Sequence, residues 1–167
     1  SNISRWNYTY EPGADGAHGL GRAVEVTYSF PQAKPGYYSP SECQGFTPFS
    51  EVQKHAVREI LASIEEMAGI SFKEVQGVGQ MTFANTSFSN TEYAGAGGLA
   101  YYGGSWSDRA GDVWINTEIT WDNPRFNTWT SGPGGDGYVT LLHEIGHTLG
   151  LKHPHEGAHV LAPELDN

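Results

Sequence analysis

Tyr138-Val139-Thr140-Leu141-Leu142-His143-Glu144-Ile145-Gly146-His147-Thr148-Leu149-Gly150-Leu151-Lys152-His153-Pro154 is the most informative stretch of this 167-residue chain. Its first part has helical spacing, and His143 and His147 lie four apart, so both imidazoles leave one face on neighbouring turns. Two ring nitrogens so placed can meet one metal ion at ~2.0–2.1 Å. Glu144 is rotated off that face, close enough to reach a water on such an ion without binding the ion itself. Two histidines leave a catalytic zinc one protein ligand short, and a third can return only if the helix stops and the backbone turns sharply. Gly150 accepts the left-handed conformation such a turn requires, His153 follows, and Pro154 keeps the helix from resuming. The pattern H-E-x-x-H-x-x-G-x-x-H is filled without a gap. Ordinary histidines on an amphipathic helix would need neither Gly150 nor His153 at those positions.

Upstream, the glycine-rich turn Ser131-Gly132-Pro133-Gly134-Gly135 predicts a helix start near Asp136–Tyr138. Another helix is expected to open at Ser50, where Ser50-Glu51-Val52-Gln53 has the form of a capping box. Val52, Ala56, Ile60, Leu61, Ile64 and Met67 recur at helical spacing as its apolar stripe, and Gly69 is expected to stop it. Strand signals lie at Ala23–Phe30, which alternates through Val24, Val26, Tyr28 and Phe30, and at Ile70–Val75, Met81–Ala84 and Asp112–Asn116. Gly97–Gly104 sets a short apolar run between glycine pairs. Strand, helix, strands and a second helix predict an α+β domain with helices packed on a sheet.

Composition narrows the function classes. A formal net charge of −10, from 9 basic and 19 acidic residues, repels phosphate backbones and anionic lipid, so nucleic acid and membrane are not expected partners. No apolar run approaches the ~20 residues that span a bilayer, and no signal peptide opens the chain. The length fits one domain, 1–167. Cys43 is the single cysteine and has no ligand-type neighbour, so it reads as a structural or incidental thiol. Glu92, Asp108, Asp112, Asp122 and Asp136 lack any calcium-loop spacing, so Ca²⁺ is unsupported by this segment. His155 and His159, also four apart, lie in a stretch without a helical pattern and read as solvent-exposed.

The long motif resembles that of the metzincin metalloproteases, and His143–Pro154 is similar to the serralysin branch. Val26-Thr27-Tyr28-Ser29-Phe30, Ile70-Ser71-Phe72 and Gly111–Asn116 agree with it in order along the chain. The resemblance implies a twisted, mixed five-stranded sheet with an antiparallel edge strand, one scaffold helix and one active-site helix. It implies one catalytic Zn²⁺ held by His143, His147 and His153, and peptide-bond hydrolysis by metal-activated water with Glu144 as general base. Leu99, Ala100 and Tyr101 would be the edge that pairs with an extended protein or peptide substrate, although the same residues also read as a plain sheet edge. Secretion to the extracellular space is implied as well.

The chain departs from the serralysin pattern after His153, where neither the methionine-containing turn with its tyrosine nor the glycine-rich calcium repeats are found. It is therefore expected to be C-terminally incomplete. A missing C-terminal segment and a proteinaceous inhibitor join the candidate partners. A zinc-bound but inactive fragment or binding module, and a self-processing domain of a larger secreted adhesin or toxin, are the competing readings.

Overall fold

The computed structural model describes residues 24–104, 107–119 and 135–151. In chain order the elements are β1 (Val24–Ser29), β2 (Thr47–Pro48), α1 (Glu51–Met67), β3 (Ile70–Glu74), β4 (Met81–Thr86), β5 (Gly98–Ala100), β6 (Asp112–Asn116) and α2 (Asp136–Thr148). Five strands form the path β3-β1-β4-β6-β5, and the two-residue β2 pairs with β4 off that path. β1 runs parallel to β3 and β4, and β4 parallel to β6. β5, at the far edge, is antiparallel to β6, with Gly98 opposite Ile115 and Ala100 opposite Val113, and the short β2 is antiparallel to β4. The expected mixed sheet with an antiparallel edge and two helices is what forms, with β2 as an addition. It attaches where β1 has ended and leaves the later part of β4 open, Thr47 opposite Asn85.

Period-two alternation sorts the central strands onto two faces. Met81 and Phe83 of β4 and Val113 and Ile115 of β6 point to the helical side, where they join Val57, Ile60 and Leu61 of α1 and Leu141 and Ile145 of α2. Ala84 and Trp114 point the other way, against Tyr38 and Phe88 from irregular segments. Both strands are buried along their whole length, so each side chain has to fit a packed layer. Each large apolar residue so buried contributes roughly 1.5–3 kcal/mol relative to exposure.

α1 starts as its sequence predicts. Gln53 N donates to Ser50 Oγ at 3.3 Å and Ser50 N donates to Gln53 Oε1 at 3.0 Å, which completes the capping box. The buried stripe differs from the expected one: Gln53, Ala56, Val57, Ile60 and Leu61 face inward, while Val52 and Met67 are 53% and 80% exposed. Gln53 takes the inward position because its amide exchanges hydrogen bonds with Asn85 of β4, at 2.7 and 3.1 Å. Gly69 does not supply the stop either. The chain leaves α1 through Ala68 in an extended conformation, its N–H still bonded to Ile64 O, and runs straight into β3.

The far face of the sheet holds a buried carboxylate. Asp112 is 1% exposed and accepts from Thr82 Oγ1 at 2.7 Å, Tyr38 Oη at 2.8 Å and Tyr37 Oη at 3.1 Å. Burial pushes its carboxyl up to about 6, against the opposing pull of those three donors. Cys43 lies nearby, half-buried with φ at +52°, and burial pushes its thiol up to about 11, which fits a non-reactive role.

Candidate metal centre

α2 carries two stripes side by side. Gly137, Leu141, Glu144, Ile145 and Thr148 are buried against the sheet and α1. His143 and His147 sit on the neighbouring face, His143 exposed and His147 half-buried. The i, i+4 spacing brings the rings together as the sequence predicts: Nε2 of His147 lies 3.0 Å from Nε2 of His143, with the ring planes at 89°. Two nitrogens sharing one tetrahedral ion at ~2.0–2.1 Å stand about 3.3 Å apart, close to this separation. The donor set is of the type zinc prefers, so the two rings fit such an ion.

The turn that ends α2 fixes one of these rings. Gly150 has φ at +94°, the left-handed region that a side chain disfavours. Gly150 N donates to His147 O at 2.9 Å and Leu151 N to Gly146 O at 3.0 Å, so the last carbonyls are satisfied and the chain folds back on the helix. Leu151 O then sits 2.8 Å from Nδ1 of His147. A carbonyl only accepts, so Nδ1 carries the proton and Nε2 of the neutral ring presents a lone pair toward His143. The glycine thus sets the tautomer of His147 as well as the path of the chain.

Glu144 is 7% exposed and directed at the edge strand. It joins His143, His147, Tyr102, Val139 and Gly98 in lining a cleft of about 700 Å³ between α2 and β5. The edge strand is tied to the end of α2 by Gly103 N donating to Thr148 O at 2.9 Å, and the Tyr102 ring meets the His147 ring edge-on at 5.9 Å. Leu99 and Ala100 belong to β5 and line the cleft. Tyr101 falls just past the strand, although its N–H still donates to Asp112 O at 2.9 Å and its carbonyl accepts from Gly111 N at 3.1 Å.

Among the described residues no group of three or more His, Cys, Asp or Glu side chains is placed to hold a metal. His153, the expected third ligand, lies outside the described residues, as do Asp122, His155 and His159. Sequence reasoning missed Val139, Thr140 and Tyr93 on the cleft wall. The first two could have been found from their spacing, four and three residues before His143 on the same helix.

The sequence profile of the reprolysin-like M12B metallopeptidase family matches residues 57–154. Serralysin G of Dickeya chrysanthemi is 32% identical over 158 residues, covering 91% of this chain and 30% of that protein. Metalloprotease AprA of Pseudomonas entomophila is 33% identical over 134 residues, covering 78% and 26%, and serralysin of Proteus mirabilis 31% over 163 residues, covering 90% and 30%. The chain spans under a third of the length of these curated relatives. Among solved structures, that of myroilysin is 19% identical, with a TM-score of 0.47, covering 81% of this chain and 52% of that one. With a family profile that runs over most of α1, the strands after it and the whole of α2, the chain belongs to the reprolysin-like M12B metallopeptidases and is similar in sequence to the serralysins.

Proposed function

We propose that this chain is a zinc-dependent endopeptidase acting on extended polypeptides. The observation that carries this reading is the approach of the His143 and His147 Nε2 atoms to 3.0 Å beside the buried Glu144. His143, His147 and His153 would hold Zn²⁺. When bound, zinc supplies a Lewis acid for the scissile carbonyl and for its developing negative charge, and acidifies water toward neutral pH.

The protein's own groups do the rest. Leu99 and Ala100, on the antiparallel edge strand that lines the cleft, would align an extended peptide along it, with Tyr101 just past the strand at its end. Glu144 takes the proton from the attacking water and delivers it to the departing amine, so one carboxylate serves both halves of the reaction. Packing between α2 and β5 limits the rotamers open to that carboxylate. The likeness to serralysins supports protein or peptide substrates and an extracellular location. Among the described residues no helix is long and apolar enough to cross a membrane.

Glu144→Gln tests the assignment, since it keeps the shape and removes the base. Hydrolysis of casein or a quenched fluorescent peptide should fall by about 10²–10⁴-fold with zinc content unchanged. Undiminished hydrolysis would remove Glu144 from the mechanism. A wild-type chain that retains zinc and cleaves nothing would favour the binding-module reading.

A further inference from the structure

We propose that Gly98 is a positioning residue for Glu144, its missing side chain leaving the space that the Glu144 carboxylate occupies. A Cβ built on Gly98 would stand 2.8 Å from Glu144 Cγ, 2.9 Å from Oε1 and 3.1 Å from Cδ. The first two are closer than real Cβ contacts, so something has to give. These three nearest atoms all belong to the one side chain of Glu144, and none of them is main chain. Gly98 does not have a left-handed φ, so its backbone would accept an alanine.

Gly79 shows what the alternative looks like. There a Cβ would meet Tyr28 C and Cα at 2.8 Å and Ser29 N at 3.0 Å, all main-chain atoms of β1, and only a shift of the strand could make room. A side chain at position 79 would strain the sheet; one at position 98 would turn the carboxylate away from where it stands. Glu144 is 7% exposed, so a displaced carboxylate would have to give up its buried position for the cleft that it lines.

The proposal rests on the reading of Glu144 as the base, and two readouts keep the two apart. In the first, Gly98→Ala should lower kcat by about tenfold to a hundredfold, with KM and zinc content within about twofold of wild type. An unchanged kcat would overturn it. The second is a thermal-unfolding cycle with Glu144→Ala, which needs no activity. Gly98→Ala should lower Tm by several degrees when Glu144 is present and by about a degree or less in the Glu144→Ala background. Equal losses in both backgrounds would mean that the sheet, and not Glu144, needs the glycine. If Gly98→Ala does not fold, recovery of folded protein in the double variant supports the proposal, and failure of both overturns it. If the wild type cleaves no peptide, the proposed function fails and the cycle still decides the role of Gly98.

Discussion

Among the described residues two acids are buried, on opposite sides of one sheet, and their surroundings differ. Asp112, on β6, is met by three hydroxyl donors from Thr82, Tyr37 and Tyr38 and lies on the far face from α2. Glu144, on α2, lines an open cleft beside two imidazoles and stands over a residue with no side chain. A carboxylate on β6 that accepts from β4 and from the Tyr37–Tyr38 segment holds those three parts of the chain together. One that faces a cleft and a metal-type donor pair has the surroundings that the proposed role as general base requires. Burial alone would not have separated them, because both are under 10% exposed, at 1% and 7%.

Exchanging each acid for its amide is the most forceful way to break this comparison. The largest effect belongs to Glu144→Gln, whose loss should be in turnover and not in folding. Asp112→Asn should do the reverse. The folded carboxyl, at about 6, lies above its ordinary value of 3.8, so the native state takes up a proton that the unfolded chain releases. The stability this contributes is complete below about pH 4 and is lost as pH rises through about 6, a change of up to roughly 3 kcal/mol for a displacement of this size. In urea unfolding across that window, the stability of wild type relative to Asp112→Asn should therefore fall as pH rises. Parallel pH curves for the two proteins would show that Asp112 does not titrate differently on folding.

A smaller effect sharpens the account of the metal centre. Gly150→Ala places a side chain at φ +94°, which costs about 1–2 kcal/mol and disturbs the turn that brings Leu151 O to His147. Zinc affinity should drop by about tenfold to a hundredfold, the usual consequence of losing a group that orients a ligand. An affinity equal to wild type would mean that the Leu151 carbonyl does not matter to His147.

Much of this was legible from local signals. The capping box at Ser50, the alternation through Val113 and Ile115, and the left-handed glycine at position 150 are each decided by a few adjacent residues, and sequence shows adjacency. Contacts between distant parts of the chain were not legible. Gln53 turns inward because Asn85 awaits it. β2 forms around Pro48 only because β4 offers a free edge. The meeting of Gly98 with Glu144 depends on how α2 crosses the sheet edge. Gly69 looked like a helix stop because glycine often is one, yet a direct exit into β3 needs no left-handed residue. For the candidate site, the i, i+4 spacing announced the paired rings, whereas the tautomer of His147 required the folded turn.

The central claim is that His143 and His147 form one metal-binding pair. Its most direct test is zinc stoichiometry by elemental analysis after dialysis, comparing wild type, His147→Ala and, as a control on the exposed side of α1, His55→Ala. Wild type and His55→Ala should each retain about one ion per chain, while His147→Ala retains none. Full zinc content and unchanged affinity in His147→Ala would contradict the account.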